Sequence, residues 1–178
     1  MSDRLWPVTI VNHISVDMPA SRDAVWLRIC SDYLAGESFK AGGYEVTRLD
    51  DPSAVLGGYR LRLERGGAVE ERLCYITELD QEARRLSLFV DFLSVPGGFT
   101  VCATYQARET GAGACFVLDS HTRTTVPPPP GSGGDLRGLV SELTQTWDAA
   151  LRSHLEGLRT TFTTSAASGE GGHAVRDR

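Results

Sequence analysis

A long amphipathic segment near the C-terminal end of the chain constrains the fold most. Apolar side chains in residues 135–162 recur at spacings of three and four, or at sums of these. They are Leu136, Val140, Leu143, Trp147, Leu151, Leu158 and Phe162. This spacing places them on one face of a helix. At about 1.5 Å per residue the helix would be roughly 42 Å long, so it needs a large apolar surface to lie on.

The chain before this helix predicts a sheet, which is the obvious partner for such a helix. Residues 8–17 alternate in polarity as a half-buried strand does, and Ser21 is a candidate N-cap for a short helix over 21–30. Residues 31–37 predict a second turn or short helix. Six further strands are predicted at 44–49, 55–65, 69–79, 83–95, 99–109 and 114–125. Short glycine turns between several of them favour antiparallel pairing.

Composition excludes several classes of partner. The net charge is −5 and the chain has no basic run, so nucleic acid is a poor partner. No apolar run is long enough to span a bilayer, and residues 1–7 lack a signal-peptide pattern, so we expect no membrane insertion. The four cysteines lack metal-ligand spacing, which favours reduced thiols in a cytoplasmic protein and predicts no metal site.

Domain organisation follows from the same patterns. Residues 1–162 predict a single domain with a substantial core, and the Thr, Ser, Ala and Gly content of residues 163–178 predicts a disordered C-terminal tail. The predicted fold class is α+β, with a seven-stranded curved antiparallel sheet around a long C-terminal helix and one or two short helices after strand 1. A curved sheet around one helix leaves a space between them.

Several short motifs resemble the START/Bet v 1-like (SRPBCC) superfamily. Residues 14–26 (ISVDMPASRDAVW) resemble its opening, in which a first strand ends in an acidic-x-Pro step and an early helix carries a Val-Trp or Val-Phe pair. Residues 76–80 (ITELD) with 84–86 (RRL) look like its recurrent strand-turn-strand passage, and 147–158 looks like its closing helix. In element order the resemblance covers roughly residues 9–162.

This resemblance implies a helix-grip fold with a deep apolar cavity between sheet and helix. Members of the superfamily bind or transform lipids, polyketides, plant hormones and other aromatic compounds, and they share no single catalytic signature. Two branches are matched poorly. Carbon–carbon bond formation through a catalytic lysine could use only Lys40, the one lysine of the chain. No Cys/His cluster supplies the iron ligands of the Rieske-oxygenase relatives, so we expect no cofactor.

The strongest candidate for chemistry is the alternating triplet Asp119, His121 and Arg123. A period of two places all three on one face of the last strand. An Asp beside a His raises its basicity, and an Arg can hold a carboxylate, phenolate or enolate, so a cavity-facing triplet would be an acid/base site. Phe116 and Leu118 lie on the opposite face and are better core residues than their neighbours. A polar ladder on the solvent side therefore remains an equal alternative.

The predicted helix supplies two further candidates. His154 falls on the apolar stripe, where it is either a satisfied core or rim residue or a group lining the cavity. Trp147, on the same stripe, is either plain core or a cavity wall, and our fold prediction takes it as buried. If the triplet faces solvent, His154 with Glu71 or Asp91 is the alternative acid/base pair.

Three tyrosines are candidates for ligand contact. Tyr59 and Tyr105 lie on the apolar faces of their strands, and Tyr75 shares a face with Glu71. A tyrosine with an apolar body and a polar tip suits an aromatic-ligand pocket, and structural burial with a hydrogen-bonded hydroxyl is the alternative. Glu71 and Asp91 are either buried carboxylates or ordinary exposed ones.

Together these features predict a protein that binds a small hydrophobic, aromatic or polyketide-like molecule in an internal cavity. The first hypothesis is a polyketide cyclase/dehydratase-like enzyme that performs cofactor-free acid/base chemistry of the cyclisation, dehydration or lyase type. His121 would move the proton, and Arg123 or Tyr105 would stabilise the oxyanion. The alternative is a small-molecule or lipid carrier without turnover. A third is a partner-binding module with an exposed apolar patch. The expected state is a monomer or homodimer.

Overall fold

A computed structural model describes residues 5–50, 55–128 and 135–169, with side chains described as far as residue 163. In chain order the elements are β1 (Trp6–Met18), α1 (Arg22–Ile29), a π-helical turn (Cys30–Leu34), α2 (Glu37–Ala41), β2 (Glu45–Arg48), β3 (Gly58–Arg65), β4 (Ala68–Asp80), β5 (Arg85–Phe92), β6 (Thr100–Thr110), β7 (Gly113–Val126) and α3 (Leu136–Gly169). The prediction of seven strands, short helices after the first strand and a long final helix is confirmed.

All seven strands form one antiparallel sheet in the order β1-β7-β6-β5-β4-β3-β2. The neighbours from β2 to β7 follow chain order, as short hairpin turns require, and β1 closes the sheet by pairing with β7 along its whole length. The register between β4 and β5 shifts between Ile76 and Glu78, which marks a β-bulge.

The short helices cover one end of the sheet. Ser21 caps α1, because its side-chain oxygen accepts the backbone N–H of Ala24 at 3.2 Å. The buried residues of α1, which include Val25 and Trp26, belong to the main apolar cluster. Gly36 starts α2 with a left-handed φ of 73°, a conformation that glycine adopts without a Cβ clash.

Strict alternation divides the sheet into two faces. In β1 every second residue is buried, from Val8 to Met18, while the residues between them are exposed. We call the side that carries these buried residues the concave face, and the other side the convex face. Most buried side chains of β5, β6 and β7 continue the concave face and form one core with α1 and α3.

α3 lies along β1 on the concave face. Leu155 and Leu158 are buried in the core, and Leu151 and Phe162 pack against it. Trp147 is half-buried rather than fully buried, because its ring stacks on Phe99 at the edge of the core.

The helix is longer than predicted. Its backbone continues to Gly169, seven residues beyond the predicted end at Phe162. Alanine has the highest helix propensity, and serine and threonine lower it only modestly, so these residues can extend a helix that packing has already formed. The remainder of the predicted tail, residues 170–178, lies outside the described residues.

Three further observations concern the described part of the chain. All four cysteines are free. In residues 5–50, 55–128 and 135–169, no group of three or more His, Cys, Asp or Glu side chains is placed to hold a metal ion. None of the described helices combines the length and apolar character that a bilayer-spanning segment requires.

Candidate ligand-binding site

Three side chains from different elements meet on the concave face, and we call Tyr33, Tyr105 and His154 the tyrosine–histidine cluster. The ring of Tyr33 stacks on that of Tyr105, with centroids 4.0 Å apart and planes inclined by 16°. The Tyr33 hydroxyl lies 3.0 Å from Nε2 of His154 on α3. Tyr105 also meets Phe116 edge-on at 6.4 Å. The cluster therefore joins the π-helical turn, the middle of the sheet and the last helix.

The π-helical turn holds Tyr33 in place. Its carbonyl oxygen accepts the hydroxyl of Tyr59 at 2.5 Å, a buried hydrogen bond between β3 and the turn. The neighbouring Asp32 is buried and accepts Nε–H of Arg28 at 2.6 Å. Single turns of π-helix are rare and occur often at functional sites, because they shift side chains out of the regular helical pattern. The ring of Tyr33 is thus fixed from both sides.

The environment keeps the tyrosines protonated. Burial is the main cause that raises the pKa of Tyr33, Tyr59 and Tyr105 above the ordinary value for a phenol. All three remain phenols at neutral pH, so they can donate hydrogen bonds. Burial likewise raises the pKa of the Cys74 thiol to about 12, which leaves it un-ionised and a poor nucleophile.

The imidazole of His154, in contrast, is kept free of its second proton. Desolvation lowers the pKa of its imidazole, and this effect exceeds that of the nearby Asp32 carboxylate, which acts in the other direction. The residue is exposed as a whole, but its Nε2 atom faces Tyr33. A neutral imidazole next to a phenol hydroxyl can accept a proton.

A row of aromatic rings continues the concave face toward β4. Trp147 stacks on Phe99 at 5.5 Å, and Phe99 meets Phe92 edge-on at 4.6 Å. Beyond Phe92 lies Arg72, whose guanidinium carbon is 4.4 Å from the centroid of the Phe92 ring. The concave face is therefore aromatic along much of its width.

A polar contact fastens α3 to β1. Asn12 is buried, and its amide donates to Asp148 at 2.7 Å and to the carbonyl of Thr144 at 3.2 Å. The amide oxygen of Asn12 and the hydroxyl of Thr122 are buried without a hydrogen-bond partner in the described part of the chain. Because a lost partner leaves a buried group unsatisfied, this contact fixes the position of the helix over β1.

Of the predicted site residues, Tyr59, Tyr105, Trp147 and His154 lie on the concave side. Tyr59 is 1% exposed, and Tyr105 and Trp147 are half-buried. Tyr105 and His154 both contact Tyr33, which joins them in one cluster. Trp147 belongs to the neighbouring aromatic row.

The structure places the Asp119, His121 and Arg123 triplet on the convex face, so the assumption that it looks inward is wrong. Its partner residues across β1 are exposed, and Asp119 forms an ion pair with His13 on the outside of the sheet. The reason is the parity of β7: Phe116 is 0% and Leu118 is 3% exposed, and this inward phase continues through the buried Ser120 and Thr122.

Glu71, Tyr75 and Asp91 also lie on the convex face, which corrects their expected place in a pocket. Glu71 forms an ion pair with Arg60, and Tyr75 packs against Phe89 with ring centroids 6.3 Å apart. Asp91 is paired with Leu73 between β4 and β5, next to the concave pair of Arg72 and Phe92. Since successive residues of a strand point to opposite faces, Asp91 points to the convex side. The alternative pairing of His154 with Glu71 or Asp91 is therefore excluded by the sheet between them.

Two side chains of this candidate site were not identified from the sequence. Tyr33 lies in a segment predicted as a turn or short helix, which is too short for a periodicity to indicate the direction of its side chain. Arg72 alternates with Leu73 and Tyr75, which look like the better core residues of β4. A signal for the true phase of β4 exists in Cys74 and Ile76, which are 1% and 4% exposed and share a face with Arg72.

The architecture resembles that of several solved structures. Ara h 8.0201 superimposes with a TM-score of 0.58 at 9% identity, covering 86% of this chain and 99% of that one. A protein of unknown function from Staphylococcus aureus gives 0.57 at 12% identity, covering 90% and 98%. Norcoclaurine synthase from Thalictrum flavum, in complex with dopamine and hydroxybenzaldehyde, gives 0.52 at 15% identity, covering 89% and 88%.

No protein-family model and no curated protein sequence matches the chain. The likeness therefore rests on structure, and at these identities it concerns the fold. Sheet order, the short helices after β1 and the long final helix all agree with it. The chain has the helix-grip fold that it shares with these solved structures.

Proposed function

We propose that the protein binds a small hydrophobic, aromatic molecule between the concave face of the sheet and α3. The observation that carries this proposal is the environment of Tyr105. Its ring is surrounded by protein and stacked on Tyr33, yet it retains accessible surface. Its hydroxyl has no hydrogen-bond partner among the described residues. A buried phenol normally finds a partner, so an open one suits a ligand.

Neighbouring concave side chains support the same proposal. Val90 and Val101 on the sheet and Leu151 on α3 are only partly buried, although all three pack against the main core. α3 follows β1, which is at one edge of the sheet, and so leaves β5 and β6 less closely covered. Ligand sites combine such apolar walls with a few polar groups that fix orientation.

The chemistry of the lining favours an aromatic ligand. Tyr33, Tyr105, Phe99 and Trp147 offer ring faces and edges for stacking, and the protonated Tyr105 hydroxyl can donate to an oxygen of the ligand. The norcoclaurine synthase structure, with the same fold, holds the aromatic molecules dopamine and hydroxybenzaldehyde. This comparison supports the proposal as an analogy of fold.

A pair of adjacent substitutions tests the proposal. Val101→Trp places a large ring on the concave face, and Cys102→Trp places the same ring on the exposed convex face one residue later. The assays are thermal unfolding and the binding of 2-naphthamide, a neutral aromatic probe, measured by quenching of tryptophan fluorescence. If the space exists, Val101→Trp fills it, so binding should be lost while the loss of stability stays below about 1 kcal/mol.

A tightly packed interior at Val101 would give a different result. In a close-packed interior, an inserted ring forces backbone shifts that cost about 1–3 kcal/mol or more. A large loss of stability in Val101→Trp, together with no binding of the probe by the wild-type protein, would remove the basis for a ligand site. Cys102→Trp should bind the probe as the wild-type protein does.

A second candidate function, acid/base catalysis, is favoured by the hydrogen bond between Tyr33 and His154. Neutral His154 can accept a proton, and the protonated Tyr105 can stabilise a developing oxyanion. Cyclisation, dehydration and lyase reactions of polyketide-like compounds all include such a proton transfer. His154 and Tyr105 would thus take the roles that we predicted from the sequence for His121 with Asp119 and Arg123.

Catalysis can be separated from simple carriage with a model reaction. In the Kemp elimination of 5-nitrobenzisoxazole, a base removes the carbon-bound proton while the N–O bond breaks, which releases a coloured phenolate. Loss of a general base costs about 10²–10⁴ in rate, so His154→Gln should lose most of any acceleration. The convex-face control is His13→Gln. Equal rates for wild type and His154→Gln would leave the carrier function.

A further inference from the structure

A partly buried arginine interrupts the aromatic surface of the concave face. The side chain of Arg72 is 21% exposed, and its guanidinium lies between the rings of Tyr44 at 5.2 Å and Phe92 at 4.4 Å. Cations in such sites are stabilised by the electron-rich ring faces, but they retain a need for hydrogen-bond acceptors. Arg72 thus places a cation at one end of the aromatic row of Phe92, Phe99 and Trp147.

Only part of its hydrogen-bonding capacity is used. Nε donates to Oε1 of Glu70 at 2.6 Å, and Nη2 donates to the same oxygen and to the Tyr44 hydroxyl, the latter at 2.9 Å. Tyr44 itself donates to Glu70 at 2.9 Å. Nη1 has no partner among the described residues. Glu70 and Tyr44 therefore hold the planar group from one side and leave one of its terminal nitrogens available.

We propose that Nη1 of Arg72 binds the carboxylate of an amphipathic aromatic ligand whose ring lies along Phe92, Phe99 and Trp147. This inference rests on the proposed ligand site and specifies the class of molecule that enters it, an aromatic carboxylate. The guanidinium supplies charge-assisted hydrogen bonds at one end, and the aromatic row, with centroids 4.6 and 5.5 Å apart, supplies the apolar contact.

Glu70 sets the strength of this interaction. Its carboxylate orients the guanidinium, but its negative charge also opposes the arrival of a second carboxylate. Replacing Glu70 with glutamine keeps an oxygen acceptor and removes the charge. The affinity for an anionic ligand should then rise, whereas the affinity for a neutral ligand of the same shape should not.

The experiment compares 2-naphthoate with 2-naphthamide, which have the same ring system and differ in charge at neutral pH. Calorimetric dissociation constants are measured for the wild-type protein, Arg72→Gln, Glu70→Gln and Arg60→Gln. Arg60 is the matched control, because it lies on the neighbouring strand and pairs with Glu71 on the convex face. Thermal unfolding checks that each variant is folded.

The wild-type protein should bind naphthoate about tenfold or more tightly than naphthamide, as expected for hydrogen bonds to a charged group. Arg72→Gln should remove that preference while retaining naphthamide binding, and Arg60→Gln should change neither affinity. Glu70→Gln should increase naphthoate affinity alone, a gain that misfolding cannot produce.

Two contrary results are distinguishable. If naphthamide binds and naphthoate shows no preference that depends on Arg72 or Glu70, the anion site is overturned and the aromatic site stands. If neither compound binds to the folded wild-type protein, the proposed ligand site and the anion site are both overturned.

Discussion

The two faces of the sheet carry the same kinds of side chain in different surroundings. On the convex face, Arg60 pairs with Glu71, and His13 pairs with Asp119, both within reach of solvent. On the concave face, Arg72 pairs with Glu70 between two rings, and His154 meets Tyr33. Ion pairs within reach of solvent contribute little to stability or binding, whereas polar groups packed against aromatic rings are affected more strongly by their neighbours. Residue type alone therefore does not identify the site; the face does.

The largest contrast concerns apolar side chains. Phe116 on the concave face is 0% exposed, whereas Val11 on the convex face is 52% exposed. Phe116→Ala should destabilise the protein by about 3–5 kcal/mol, because it removes a buried ring and leaves a cavity. Val11→Ala should cost less than about 0.5 kcal/mol. Urea unfolding measures both, and similar losses for the two would contradict the assignment of the faces.

Two adjacent residues of β1 provide the next contrast. Asn12→Ala removes the hydrogen bonds to Asp148 and Thr144 and should cost about 1–3 kcal/mol. His13→Ala removes an exposed ion pair and should cost no more than about 1 kcal/mol. The same unfolding assay applies. A larger loss for His13→Ala than for Asn12→Ala would show that α3 does not depend on this contact.

A smaller effect is expected from pH. The lowered pKa of His154 means that the unfolded chain takes up this proton before the folded one as the pH falls. The contribution of His154 to the free energy of unfolding is therefore complete above pH 6.5, the ordinary pKa of histidine. It declines as the pH falls from there through the lower pKa of His154 in the folded protein. His154→Gln should flatten stability across this range. His121→Gln, which leaves His154 in place, should not. An unchanged pH dependence in His154→Gln would disprove the assignment.

The smallest effect is expected at the residue that the sequence favoured as the base. His121 is exposed on the convex face, so His121→Ala should change the affinity for 2-naphthamide by less than about twofold and the stability by less than about 0.5 kcal/mol. Isothermal calorimetry measures the affinity. A large loss of binding would indicate that the ligand site lies on the convex face.

The fold was accessible from the sequence because its signals are local and repeated. Gly66 and Gly67 mark a hairpin, Ser21 caps a helix, and the apolar stripe around Leu151 defines the long helix. Only part of the candidate site could be predicted from the sequence. β7 is polar on both faces beyond Leu118, so the side chains from residue 119 to 125 do not reveal which face is buried. Extending the phase of Phe116 would have excluded His121.

Tyr33 and Arg72 were not predicted for a different physical reason. Tyr33 is directed by a π-helical turn, which has no periodicity that a sequence pattern reveals. Arg72 faces inward because its charge is balanced by Glu70 and enclosed by Tyr44 and Phe92. Glu70 is two residues away on β4, but Tyr44 and Phe92 are distant in sequence and become neighbours of Arg72 only when the sheet forms. A charge within a strand predicts an exposed position until such partners are known.

The most direct test of the account is to map where an aromatic ligand touches the protein. Methyl resonances of valine and leucine residues report on both faces, and they can be followed by NMR during titration with 2-naphthamide. We expect saturable shifts at the concave residues Val90, Val101 and Leu151, whereas Val11 and Leu93 on exposed surfaces should not shift. Shifts confined to Val11 and Leu93, or no saturable shifts at all, would contradict a ligand site between the sheet and α3.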